Sequence, residues 1–259
     1  MMDRPMPCNP LKIRNALLGG PVPLMCVPLV GRTREEVMVE VQNLPSVNPD
    51  IVELRVDAWE SIENVDDSIL LLREVRGAVG ELPIILTCRG HWEGGIKAVS
   101  ESVKDSLYSW AISERVVDLV DKELSYGYEK LSEVKSQAES SGVRLIVSYH
   151  DFSKTPSVSS IYSRLAGQIY CGADVAKVAF MPCSEEDVLN VLEATLAIRR
   201  DFPEVPLIAM SMGVLGQSSR LIGGLYGSDL TFAVGSVESA PGQIPVEKMR
   251  VFFDLLYRL

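Results

Sequence analysis

"DIVELRV", residues 50–56, raises the question on which the fold turns: a β-branched run ends in two opposite charges. Side chains alternate faces along an extended chain, so Leu54 and Val56 share one side while Glu53, Arg55 and the following Asp57 share the other. Two readings are open. An edge strand could turn its charged face to water. Alternatively the strand belongs to a closed barrel, with its apolar face against surrounding helices and its charges inside, where they must pair with one another or with a ligand.

Seven further runs of this kind flank it: "LMCVPLV" (24–30), "PIILTC" (83–88), "VDLVDKEL" (117–124), "RLIVSY" (144–149), "ADVAKVAF" (173–180), "PLIAMSM" (206–212) and "DLTFAVG" (229–235). Between them lie stretches of helical period, among them "TREEVMVEVQNL" (33–44), "SEEDVLNVLEATLAIRR" (184–200) and "VEKMRVFFDLLYRL" (246–259). "TREE" carries a capping-box pattern, and Ser184 with Glu186 and Asp187 marks a helix start. Eight strand–helix units in 259 residues are the pattern of an α/β fold of the (β/α)8 TIM-barrel type. A doubly wound sheet would want a GxGxxG turn after its first strand, and none is present. The segment 11–23, "LKIRNALLGGPVP", reads as a hairpin around Gly19-Gly20 that closes the N-terminal bottom of the barrel. No Pro/Gly/Ser-rich linker interrupts the rest, so residues 1–259 are expected to form a single barrel domain.

Composition narrows the partners. The hydrophobic fraction of 47% and charged fraction of 23% fit a soluble globular protein. A net charge of −10 leaves no basic excess for nucleic acid or an acidic membrane surface. No apolar stretch approaches the ~20 residues of a membrane span, and "MMDRPMPCNP" lacks the apolar core of a signal peptide, so a cytoplasmic protein is expected. Five scattered cysteines without a CxxC pair read as reduced, mostly buried thiols, and two distant histidines make a poor metal site.

In such a barrel the chemistry sits at the C-terminal ends of the strands. Strand three leads into "TCRGHWEGG" with Arg89, His91 and Glu93, where Arg89 and Glu93 are either a surface ion pair or part of a site, and His91 reads as a solvated loop residue. "VSYHDF" (147–152) places His150 at a strand end, suited to moving protons near neutrality, with Asp151 expected to cap the turn. Lys177 stands late in the apolar sixth run. It is either a structural partner of a carboxylate such as Glu53, or an amine made neutral by desolvation and nearby cations and so able to attack a ketone. Arg220 ends "SMGVLGQSSR", and Ser239 and Gln243 lie in the last loop, "GSVESAPGQIP". Arg55, Arg89 and Arg220 facing one cavity would suit a carboxylate ligand.

"ELRVD", the "R…EGG" of residues 89–95, "VSYHDF", "ADVAKVA", "SMG…SR" and "SAPGQ", in this order, resemble type I 3-dehydroquinate dehydratase, a Schiff-base barrel of the class I aldolase superfamily. The resemblance implies that Lys177 forms an imine with the ketone of 3-dehydroquinate. It implies that His150 is the general acid/base and that Glu93 orients it. Arg220, Ser239 and Gln243 would bind the substrate carboxylate, with Glu53, Arg55 and Arg89 holding hydroxyls. The implied reaction is syn dehydration to 3-dehydroshikimate in the shikimate pathway, by a homodimer without metal or organic cofactor. One departure is visible: where the family often places a serine near the ligand in strand one, this chain has Pro28, which offers no side-chain donor. The rivals are a sugar-phosphate aldolase on the same barrel, a metal-dependent lyase, and a catalytically silent binding barrel.

Overall fold

The structure, a computed structural model, describes residues 4–235, 237 and 239–257. Two short strands, β1 (Leu11–Ile13) and β2 (Ala16–Leu18), precede eight that pair in parallel: β3 (Leu24–Leu29), β4 (Ile51–Arg55), β5 (Ile84–Thr87), β6 (Leu119–Glu123), β7 (Arg144–Asp151), β8 (Val175–Phe180), β9 (Leu207–Ser211) and β10 (Leu230–Phe232). The helices between and after them are α1 (Arg34–Val47), α2 (Val65–Val79), α3 (Glu101–Ser113), α4 (Tyr128–Ser141), α5 (Val158–Tyr170), α6 (Glu185–Asp201), α7 (Gln217–Ile222) and α8 (Val246–Tyr257). The spatial order β10-β3-β4-β5-β6-β7-β8-β9 brings the last strand beside the first, as a (β/α)8 barrel requires. At the remaining seam, Asp229 donates its backbone N–H to Leu207 at 2.7 Å, and its carboxylate accepts from the Leu207 N–H at 2.8 Å.

Sequence periodicity explains both faces of the wall. Outward residues such as Val52, Leu54, Val120 and Val147 join the apolar cluster beneath the helices. Inward residues near the bottom, among them Ile51, Ile85, Leu119, Ile146, Val175 and Ile208, form a second cluster with Ile13, Ala16 and Leu18 of the hairpin. The hairpin therefore plugs the barrel's N-terminal end with apolar side chains. Higher up, the inward positions become Glu53, Arg55, Asp121, Glu123, Ser148, His150 and Lys177. The interior thus changes from apolar to charged within two turns of the pleat.

Three local expectations need correction. The hairpin turns at Arg14 and Asn15, not at Gly19-Gly20, because the β1–β2 register closes with Ile13 opposite Ala16. Arg14 takes the left-handed backbone itself (φ 49°), and its guanidinium is held by Asp118. Asp57 lies beyond the strand, in a one-turn helix at Val56–Ala58. The "TREE" pattern is half of a capping box: Thr33 accepts from the Glu36 N–H, but the Glu36 carboxylate accepts from the Arg32 N–H. The box is complete instead at α6, where Ser184 and Asp187 cap each other's backbone. Of the closing segment 246–259, Arg258 and Leu259 lie outside the described residues. No helix among the described residues is long and apolar enough to cross a membrane.

Candidate active site

The inward polar side chains of β4, β6, β7 and β8 meet at the C-terminal mouth, where a cavity opens. Glu53, Arg55, Arg89, Glu93, His150, Lys177, Arg220, Ser239 and Gln243 all line it, so every site residue expected from the sequence is brought to one place. Strand register sets their heights. Ser148 pairs with Lys177 and His150 with Ala179 on the adjoining strands, which puts His150 one pleat above and one strand over from the amine.

Lys177 is 3% exposed, so its amine is shielded from bulk water. Its nearest groups, however, differ from the cationic surroundings expected. Nζ lies 2.8 Å from Asp121 and 3.3 Å from Glu53, and 4.5 Å from the centroid of the Phe232 ring. Carboxylates, not cations, pair with this amine. Glu53 also accepts from the Thr87 hydroxyl at 2.9 Å, which fixes its orientation. Asp121 is held on three sides, by Lys177, by Arg89 at 2.9 Å and by the Ser148 hydroxyl at 2.6 Å. Burial alone would raise the Asp121 pKa, but the charges of Arg89 and Lys177 outweigh it and keep the carboxyl ionised well below the usual range.

Arg89 does not form the local surface pair considered for it. Its hydrogen bonds run across the barrel to Asp121, Glu123 and Ser148, the last two at 2.8 Å. Burial works against its charge, yet Asp121 and Glu123 more than offset that and raise its pKa. Arg55 is gripped bidentately by Asp57 at 3.0 and 2.8 Å. Asp57 also accepts the backbone N–H of Arg89 and of Ile96, and so ties the Gly94-Gly95 loop to the barrel rim.

That loop carries Glu93 to His150. One Glu93 oxygen accepts the His150 backbone N–H at 2.9 Å and lies 3.1 Å from Nδ1. Burial, offset only partly by Arg89 and reinforced by Glu123, pushes the Glu93 carboxyl up to about 8. Burial followed by the charges of Arg89 and Lys177 holds the His150 imidazole well below its ordinary value. Both shifts favour the uncharged form of this pair. Gly94 is necessary here: it adopts φ 84°, and a β-carbon would stand 2.3 Å from the Phe152 ring that packs over it at the cavity mouth.

Arg220 comes from α7, buried, donating to the Pro241 carbonyl at 3.1 Å and lying 3.2 Å from the Met210 sulfur. Gln243 accepts the Ser239 N–H at 2.9 Å and donates to the Ser239 hydroxyl at 3.1 Å, so these two residues of the last loop brace each other. The last loop also meets the connection between β9 and α7, where the Gly213 N–H donates to the Pro241 carbonyl at 2.9 Å. His91 is exposed, as expected, but it opens a one-turn helix at His91–Glu93 and its Nδ1 lies 3.1 Å from the Gly95 carbonyl. Asp151 caps the turn after β7, accepting from the N–H groups of Ser153 and Lys154. Pro28 pairs in register with Glu53 and is buried.

Asp121 and Glu123 are the residues that sequence reading passed over. Their signal is the alternation already used for Glu53 and Arg55, masked in "VDLVDKEL" by the intervening Lys122, which points outward. Among the described residues no three His, Cys, Asp or Glu side chains gather so as to hold a metal ion. What the arrangement can do chemically follows from its parts: a shielded primary amine, an imidazole with one nitrogen engaged, and guanidiniums for an anion.

Comparison with known proteins agrees with this inventory. Residues 25–259 match the family model described as Type I 3-dehydroquinase. The 3-dehydroquinate dehydratase of Aromatoleum aromaticum is 40% identical over 250 residues, covering 96% of each chain. That of Albidiferax ferrireducens is 39% identical over 241 residues, 93% of this chain and 91% of the other. The crystal structure of 3-dehydroquinate dehydratase from Geobacillus kaustophilus superposes with a TM-score of 0.94 at 38% identity, over 98% of both chains. A type I 3-dehydroquinate dehydratase from Clostridium difficile, with covalent modified comenic acid, gives 0.92 at 37% identity over 96% and 98%.

Proposed function

Because the chain belongs to the type I 3-dehydroquinase family and is thereby a hydro-lyase acting on 3-dehydroquinate, we propose that it dehydrates this substrate through an imine on Lys177. The observation that carries the reading is the placement of the Lys177 amine, dry and carboxylate-paired, one pleat below the Glu93–His150 pair.

In this reading the amine first hands a proton to its surroundings. Nζ then bonds to the ketone carbon, and loss of the ketone oxygen as water leaves a protonated imine. The iminium is an electron sink, so the adjacent C–H becomes acidic enough for a histidine to remove its proton. With Nδ1 engaged by Glu93, the Nε2 of His150 takes that proton and gives an enamine. The enamine electrons then expel the neighbouring hydroxyl, which leaves as water with a proton returned by His150. Hydrolysis of the conjugated imine frees Lys177 and 3-dehydroshikimate, for a net loss of one water. One histidine serving both transfers from one face makes the elimination syn.

Arg220, with Ser239 and Gln243, is assigned to the substrate carboxylate, since a guanidinium fork suits a planar anion. Glu53, Arg55 and Arg89 are assigned to its hydroxyls and to the charge balance around the amine. The covalent modified comenic acid of the Clostridium difficile relative supports covalent chemistry in this chain as well. The resemblance supports a cytoplasmic homodimer in the shikimate pathway that needs no metal or organic cofactor, and five free thiols suit a reducing compartment. The test is borohydride reduction in the presence of 3-dehydroquinate. A ligand-sized mass on the Lys177 peptide is expected; an active preparation without that adduct would overturn the imine route. Adduct formation only with a sugar phosphate would favour an aldolase.

A further inference from the structure

The ladder between β5 and β6 ends at Thr87 and Asp121. Beyond it, three consecutive backbone N–H groups are each taken by a side chain from a different element. Cys88 donates to the Tyr108 hydroxyl of α3 at 2.8 Å, Arg89 to Asp57 at 3.1 Å, and Gly90 to Glu123 at 2.8 Å. Asp57 and Glu123 stand inside or at the rim of the barrel. Tyr108 reaches the same segment from the helical layer outside it.

The Tyr108 hydroxyl does not stop at Cys88. It donates its own proton to the Asp121 carbonyl at 2.9 Å, so a single oxygen accepts from one strand and donates to the next. Both ends of this bridge border the site: Cys88 precedes Arg89, and Asp121 holds the Lys177 amine. The ring is fixed from behind. Lys122, on the outward face of the same β6 whose inward residues are Asp121 and Glu123, puts Nζ 3.9 Å from its centroid. Burial, with the Cys88 thiol and Glu123 adding to it, keeps the phenol protonated well beyond the usual range, as its donor role requires.

We propose that Tyr108 is a positioning residue for the dehydration: its hydroxyl clips the tip of β5 to β6 and thereby sets Arg89 and Asp121 around Lys177. The proposal rests on Lys177 being the imine-forming amine. Without the hydroxyl, the buried Cys88 N–H and Asp121 C=O both lose a partner, and the two strands are free to part just where the site's charges are anchored. Arg220, on the opposite side of the cavity, is untouched by this change, so substrate capture should persist while the chemistry slows.

The test is Tyr108→Phe, which keeps the ring under Lys122 and removes only the bridge, compared with Ile198→Val, a mild core change in α6 at a residue that does not line the cavity. Small displacements of reacting groups cost rate steeply, so kcat should fall by about ten- to a hundredfold while KM moves by less than about threefold. Ile198→Val should keep kcat. A Tyr108→Phe kcat like that of the parent, a loss no larger than that of Ile198→Val, or a loss confined to KM would overturn the proposal. Borohydride trapping on the parent reports separately on Lys177, so failure of the imine reading is distinguishable from failure of the clip. Should Tyr108→Phe not fold, the parent supplies the answer through the Cys88 amide in hydrogen-exchange NMR. Protection equal to that of Ile84–Thr87 supports the bridge; exchange at the rate of an open loop overturns it.

Discussion

At the scale of single residues, the Glu93–His150 pair decides how the site responds to pH. His150 works as a base only while neutral. Burial and the charges of Arg89 and Lys177 hold it neutral to well below 6.5. We therefore expect kcat/KM, which reports the free enzyme, to stay level as pH falls through 6.5 and to decline only in more acidic buffer. An acidic limb centred at or above 6.5 would contradict this geometry. Replacing His150 by Ala should leave ligand binding in place and lower kcat by about 10²–10⁴-fold, the usual worth of a positioned acid–base. Calorimetry with a non-reacting carboxylate analogue, beside turnover measured from the enone absorbance, separates the two effects. These residues were legible because each breaks an apolar run. Glu53 and Arg55 stand out against Ile51, Val52 and Leu54, and Lys177 against a row of Ala and Val. Asp121 and Glu123 were not legible, since Lys122 between them gives the run "DKE" the look of a solvated end. Only three-dimensional burial shows that Lys122 is packed between Tyr108 and Tyr126 on the outer face while its neighbours point inward.

At the scale of elements, the eight barrel strands follow from composition because strands covered on both faces are written as short continuous β-branched runs. Their order in space follows from parallel pairing with helical crossovers, for which neighbours in sequence are neighbours in the wall. The hairpin was legible as an element but not in its turn. Glycine usually supplies a left-handed turn residue, and the pair at 19–20 attracts the assignment; here Arg14 accepts that backbone, with its side chain tied to Asp118 and to Glu81. The hairpin's work is apolar and lies at the end opposite the chemistry. Leu18 is fully buried among Ile13, Leu24 and Ile51. Leu18→Ala should cost about 2–5 kcal/mol of stability by leaving a cavity, and thermal or urea unfolding measures it. Turnover per folded molecule should not change. A loss of kcat in the folded variant would mean that the two ends of the barrel are mechanically linked, contrary to the separation of apolar floor and charged mouth.

At the scale of the whole molecule, the charges buried to build the site leave a signature in the pH dependence of folding. Asp57 and Asp121 are burial-penalised but dominated by Arg55 and by Arg89 with Lys177, so both titrate below the ordinary carboxylate range. Their contribution is present above the unfolded value and is lost as pH falls below about 4, which makes acid unfolding begin there. Glu93 has the opposite sign. Burial first, then the balance of Arg89 against Glu123, raises its folded value to about 8, so the folded chain keeps a proton that the unfolded chain releases. Its contribution is complete below the unfolded value and drains away as pH climbs toward 8. His150, whose folded value is depressed, opposes this only up to its ordinary ~6.5, above which it is neutral in both states. From 6.5 to 8 His150 no longer opposes Glu93, while the buried Cys26 and Cys88 thiols, raised by burial, add a fall of the same sign only toward the upper end. Urea unfolding in that interval should give a midpoint that falls with rising pH in the parent and falls less in Glu93→Gln, whose amide cannot ionise. A parent midpoint that is flat or rising from 6.5 to 8 would show that Glu93 is ionised at neutrality. His150 would then face a carboxylate rather than a carboxylic acid, and the proton inventory of the dehydration would have to be redrawn with an imidazolium in the resting site.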